Sequence, residues 1–172
     1  RGSSGGFGWD GTALKQDKAS ASDVNEAIEW MSRLNKTAGG LAVEFNLRGG
    51  TDITGFGLLG HSMEMAEASG VLLSIENSKL PLLGGARGYA EKGTFPGGAF
   101  DNKKHFEKNV RFDKKLNEAA QMLLFDPQTS GGLLLGVPRE KLEAFEKRAN
   151  ELYQPVWAVG EVRTGQGIMV QP

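Results

Sequence analysis

Glycine falls in clusters along this chain, and each cluster sits between apolar segments: Gly49-Gly50, Gly55/Gly57/Gly60, Gly84-Gly85, Gly97-Gly98 and Gly131-Gly132. Spread evenly, 25 glycines in 172 residues would speak for a loose chain. Clustered, they mark tight turns where backbone must pass close to backbone or to a ligand. The chain can therefore fold only as short elements joined by sharp turns.

The patterns between the clusters alternate. Ser22 reads as an N-cap, and Val24, Ile28, Met31 and Leu34 predict a helix that ends near Gly39-Gly40. Leu41 to Phe45 is a short apolar patch. Leu58 to Ala68 predicts a second helix with Gly70 as its cap, and Val71 to Glu76 a strand. A helix over Leu82 to Lys92, a loop over "TFPGGAFDN", a strand over Phe106 to Phe112 and a helix from Asp113 to about Leu123 follow. "DPQTSGG" predicts a turn and Leu133 to Val137 a buried strand. Pro138 opens a helix to about Leu152, and two strands flank Thr164 to Gly167. Alternating helices and strands predict a layered α/β or α+β domain. Residues 1–12 read as a tag remnant or flexible lead, otherwise as a linker from a preceding domain, and residues 13–172 as one domain.

Several function classes drop out on composition. The net charge is −1, from 20 basic and 21 acidic side chains, so there is no basic surplus for nucleic acid. No apolar run is long enough for a transmembrane helix. The chain has no cysteine and only two histidines, His61 and His105. That removes disulfides, thiolate nucleophiles and multi-histidine metal sites. A soluble protein of the cytoplasm is the expectation.

The stretch that carries chemistry is "TDITGFGLLGH", Thr51 to His61. GFGLLG fits the dinucleotide-binding pattern, opens a helix, and is followed by a strand ending at the acidic Glu76. Against that reading, the residues before it, "NLRGGTDIT", do not form a buried strand, and Asp52 would repel a pyrophosphate. A cation between Asp52 and the phosphate removes the repulsion. Mg²⁺ is commonly held by one or two carboxylates plus substrate phosphates, and loop amides at a helix N-terminus favour an anion. Thr51 and Thr54 add hydroxyls. Asp52 as a plain turn residue stays open beside the metal–phosphate and dinucleotide readings. His61 reads first as a partly buried, hydrogen-bonded neutral side chain. "DPQTSGG" is a shaped turn or an anion-contacting loop.

Together, "TDITGFGLLGHSMEMA" and "FDPQTSGGLLLGVP" resemble selenophosphate synthetase (selenide, water dikinase), and "NEAIEWMSRLNKTA" and "GARGYAEKGTFPGGAFDN" fit the same family in order and spacing. The resemblance runs from Ala13 to Val170 and concerns the C-terminal half of that family. It implies a three-layer α/β/α domain of the aminoimidazole ribonucleotide synthetase-like superfamily, with a mixed sheet and a partly ferredoxin-like arrangement. It implies an enzyme that makes selenophosphate, AMP and phosphate from ATP, selenide and water. Asp52 stands where the family has a Mg²⁺ ligand. The reactive Cys or selenocysteine, its Lys and most of the ATP site belong to the family's N-terminal half, so no catalytic residue is expected here. Thr54, Gly55, Phe56 and Gly57 are expected along the phosphate path; this rests on the character of the loop. The implied partners are that N-terminal half and a second copy of the full-length protein, and the chain alone is expected to be inactive. The alternative is a non-catalytic nucleotide- or anion-binding module using GFGLLG.

Overall fold

A computed structural model describes residues 2–3 and 19–172. Two four-stranded sheets and seven α-helices make up the described fold. The first sheet is antiparallel throughout, in the order β2-β5-β1-β6, from β1 (Gly2–Ser3), β2 (Gly49–Asp52), β5 (Leu133–Gly136) and β6 (Val156–Trp157). The second is mixed, in the order β4-β8-β3-β7. Here β3 (Leu72–Glu76) runs parallel to β8 (Gly167–Gln171) and antiparallel to β7 (Gly160–Arg163), while β8 also runs parallel to β4 (Val110–Phe112). The lead expected over residues 1–12 lies, apart from Gly2 and Ser3, outside the described residues.

The N-terminal helix differs from its expectation. Ser20, not Ser22, caps α1 (Ala21–Ser32), its hydroxyl accepting from the Asp23 amide at 3.1 Å. The chain then breaks at Arg33 to Asn35, and α2 (Lys36–Glu44) runs straight through Gly39-Gly40, where a stop was expected. Two helical glycines cost about 1 kcal/mol each. Tertiary burial offsets this: Ala38 and Leu41 are each 1% exposed, and Leu41 packs with Leu135, Phe145 and Ala149. The apolar patch Leu41 to Phe45 thus belongs to a helix.

The helix α3 (Gly57–Ser69) follows its expectation to the cap, where Gly70 takes φ +63. Its Leu58, Leu59 and Met63 meet Ile75, Val110, Ile168, Val170 and Leu134 in the main core, so α3 ties the two sheets together. The expected helix over Leu82 to Lys92 is shorter, α4 (Ala86–Glu91). The expected loop "TFPGGAFDN" instead starts α5 (Gly97–Phe106), with Pro96 at its N-cap, so the strand expected from Phe106 reduces to β4. The helix expected from Asp113 starts only at α6 (Glu118–Leu123), because Asn117 provides the cap by accepting from the Ala120 amide at 2.9 Å. After Pro138 a single 3₁₀ turn precedes α7 (Leu142–Glu151).

The last two strands follow each other in sequence but do not pair. They flank β3, and the turn between them crosses the end of that strand at Leu72. Gly165 (φ +133) would put a Cβ 3.2 Å from the Leu72 side chain. Gly167 (φ +84) would put one 2.7 Å from the Asn109 carbonyl oxygen. Both positions need glycine for backbone angle and for space.

Candidate functional site

The strand β2 pairs with β5 in the register Gly49↔Gly136, Gly50↔Leu135, Thr51↔Leu134 and Asp52↔Leu133. The zipper continues past the end of both strands. The Ile53 amide donates to Gly132 O, the Gly131 amide to Ile53 O, and the Gln128 amide to Thr54 O, each at 2.9 Å. The two motifs singled out in the sequence, Thr51 to His61 and Asp126 to Gly132, are therefore one structural unit. Glycine is required at its seams. A Cβ on Gly131 would collide with Ile53 O, and one on Gly57 (φ +69) would lie 2.8 Å from Asp126 O and from the Phe125 carbonyl carbon.

The loop from Thr54 to Gly57 is held from inside by His61. The Phe56 amide donates to His61 Nε2 at 3.3 Å, and the Thr54 hydroxyl lies 3.0 Å from the same nitrogen. Nε2 is thus an acceptor, and the ring proton sits on Nδ1, which donates to Glu64 Oε2 at 3.0 Å. This is the partly buried, hydrogen-bonded histidine anticipated from the sequence. The Gly57 amide donates back to Thr54 O at 3.0 Å. Two of the amides expected to line a phosphate path thus already have partners within the protein.

Exposure separates the loop residues. Asp52 and Gly55 are exposed, and Phe56 keeps 46% of its surface open, whereas Thr54 is half-buried and Gly57 buried. In the second motif Asp126 is fully buried and Thr129 exposed. The Gln128 side-chain amide donates to Asp126 O and Oδ2 at 3.2 and 3.1 Å. The carboxylate of "DPQTSGG" is therefore an internal brace, and only Asp52 of the two motif aspartates faces outward.

Among the described residues, no group of three or more His, Cys, Asp or Glu side chains could hold a metal by itself. A cation at Asp52 would take one carboxylate from the described residues and its other ligands from elsewhere, water and phosphate among them. That donor set fits Mg²⁺, which keeps several waters and needs only one or two carboxylates. Asp52 lies on the exposed surface, and two concavities among the described residues, of about 720 and 460 Å³, are lined by other side chains.

The dinucleotide geometry is absent. Such a turn joins two strands of one parallel sheet through its helix, but β2 and β3, on either side of α3, belong to different sheets. Glu76, which the dinucleotide reading would put on a ribose, pairs with Lys79 at 2.8 Å.

Sequence reasoning passed over Asn102. Its side-chain amide nitrogen donates to Gly55 O and to Phe125 O, both at 2.9 Å, and the residue is 7% exposed. Asn35 acts similarly on the second motif, donating to Gly131 O at 3.2 Å. A signal for Asn102 was present: Ala99, Asn102 and Phe106 fall at helical spacing on the inward face of α5, and Ala99 is fully buried.

Comparison with known proteins gives a consistent picture. Residues 2–171 match the family described as AIR synthase related protein, C-terminal domain. A selenide, water dikinase from Caldanaerobacter subterraneus is 41% identical over 162 residues, which is 94% of this chain and 47% of that protein. This chain spans about half the length of the curated relatives it matches. A thiamine-monophosphate kinase from Stenotrophomonas maltophilia superposes with a TM-score of 0.64 at 15% identity, covering 99% of this chain and 48% of that one. A structure titled AaThiL complexed with AMPPCP and TMP superposes with a TM-score of 0.58 at 17% identity, covering 98% and 47%. These structural likenesses concern the fold, an α/β arrangement with a mixed sheet.

Proposed function

The chain belongs to the AIR synthase related family, as a C-terminal domain of it, and from that premise we propose that it is the C-terminal domain of a selenide, water dikinase. The whole enzyme makes selenophosphate, AMP and phosphate from ATP, selenide and water. The observation that carries this reading is the zipper of the two motifs, which leaves the Asp52 carboxylate exposed at its end while Asp126 is kept inside. The 41% identity to a selenide, water dikinase over nearly the whole chain supports the choice among family activities.

In this reading Asp52 is a Mg²⁺ ligand beside the phosphates of ATP. The bound ion would neutralise phosphate charge, where catalysis rests on positioning and electrostatics. The chain's own contribution is geometric. Gly55 and Phe56 form the exposed wall of the loop. Thr54 and Gly57 fix its shape through His61 and the backbone of Phe125 and Asp126. The open site is completed by an N-terminal half that carries the rest of the ATP site and the reactive Cys or selenocysteine. The full-length protein works as a dimer in the cytoplasm, and this chain alone does not turn over.

The test is Asp52→Asn in the protein that includes the N-terminal half. Selenide-dependent AMP formation and Mg²⁺-ATP binding should both fall by at least about 100-fold, since even a residue that only supports a metal ligand is worth 10–100-fold. Unchanged binding and turnover would overturn the assignment of Asp52. Robust selenophosphate production by residues 1–172 alone would overturn the division of labour.

A further inference from the structure

We propose that Asn102 is a positioning residue for the site, holding the Asp52 loop and the Phe125–Asp126 lead into the second motif in one fixed relation so that the Asp52 carboxylate points at its cation. The inference rests on the function proposed above for its consequence, but not for the clamp itself.

The argument starts from an uncommon placement. Asn102 lies on the inward face of α5 between the buried Ala99 and the core-packed Phe106, where an apolar side chain is expected. A buried amide is tolerated when its donors are satisfied. Here the side-chain nitrogen has two protons and two acceptors, Gly55 O and Phe125 O, both at 2.9 Å. One acceptor lies in the first motif and the other on the residue that leads into the second. Gly55 is the exposed crest of the Asp52 loop, and Phe125 directly precedes the buried Asp126. One side chain thus bridges the two loops at a point the β2–β5 ladder does not reach. His61 fixes the loop internally and the ladder fixes Asp52 from the strand side, but Asn102 contributes the bond from Gly55 across to α5.

The nearby helix supports this role. A Cβ on Gly98 would come 3.0 Å from Pro127 Cγ, so α5 packs closely over the second motif as well. A helix seated on both loops and bonded to both through one amide is a rigid mount of the kind a metal ligand needs.

The experiment uses Asn102→Leu, which keeps the number and branching of the heavy atoms but loses both donors, with Asn102→Ser as a smaller replacement should the bulkier methyl groups of leucine prevent folding. Asp101→Asn, at the exposed neighbouring position, is the control. The first readout is amide hydrogen exchange on the 172-residue chain at the Phe56, Gly57, Gln128 and Gly131 amides. All four should exchange faster by at least about 10-fold, while the amides of β3 and β8 keep wild-type rates and Asp101→Asn changes nothing. The second readout is the Mg²⁺ concentration at half-maximal turnover in the protein with its N-terminal half. It should rise by about 10-fold, with turnover at saturating Mg²⁺ within about twofold of wild type, in the range seen for residues that orient metal ligands. Unchanged loop exchange, or faster exchange spread equally through β3 and β8, would overturn the clamp. A clamp confirmed by exchange with an unmoved Mg²⁺ midpoint would overturn its link to the cation. If the wild-type protein forms no AMP in response to selenide, the proposed function fails, and the exchange pattern still decides the role of Asn102.

Discussion

At the scale of single residues, glycine and its neighbours set the geometry and charge follows. Gly57 and Gly55 are two residues apart and physically opposite. Gly57 sits at φ +69 with backbone where a Cβ would go, while Gly55 has nothing within 4 Å. Gly57→Ala should cost more than about 2 kcal/mol, because the left-handed angle alone costs 1–2 kcal/mol and the clash adds to it. Gly55→Ala should stay within about 0.5 kcal/mol of wild type. Urea unfolding of the two variants tests the pair. A second prediction concerns Asp23, held below the usual carboxylate range by hydrogen bonds from Ser20 and then from Tyr89, whose hydroxyl donates at 2.7 Å. A depressed carboxylate stabilises the fold above its unfolded pKa and loses that stabilisation as pH falls through the folded value. Tyr89→Phe should therefore lower the urea midpoint at neutral pH, and the gap to wild type should narrow in strong acid to what loss of the Ser20 amide's bond to the Tyr89 hydroxyl leaves. A gap that stays constant down to strong acid would show that the Asp23 carboxylate contributes nothing through Tyr89.

At the scale of elements, burial decides where local preference is ambiguous. The helix α2 carries two glycines at its middle and survives because Ala38 and Leu41 are buried beneath it. Leu41→Ala should cost about 2–5 kcal/mol, typical of a fully buried leucine, read as a fall in thermal midpoint. The same contrast explains what the sequence made legible. The helix α3 and its Gly70 cap, the strand β3 and the buried strand β5 were all readable, because apolar period and turn glycine agree there. The helix α5 was hidden, since "TFPGGAFDN" has the composition of a loop and its inward face is completed by an asparagine. Each half of the candidate site was readable as a motif. Their union was not, because it depends on the β2–β5 register and on Asn102 and Asn35 reaching across the fold; the Asn35–Gly131 contact spans 96 residues of chain.

At the scale of the whole molecule, α3 and the final strand hold the assembly together. Ile168 and Val170 of β8 are fully buried between β3 and β4. Removing residues 167–172 should abolish the cooperative thermal transition rather than lower it, and calorimetry reads the difference directly. A truncated chain that melts cooperatively would show that the antiparallel sheet stands by itself. The arch over Leu72 carries one more consequence, for the order of events in the cell. The strand β3 finds both of its neighbours only in β7 and β8, which follow it by more than 80 residues of chain, and Ser78 bonds to a carbonyl 94 residues later. A ribosome must therefore release the whole stretch from β3 to β8 before the sheet can close. Until then the apolar β3 waits without partners, and that interval is when a chaperone is most useful to the nascent chain.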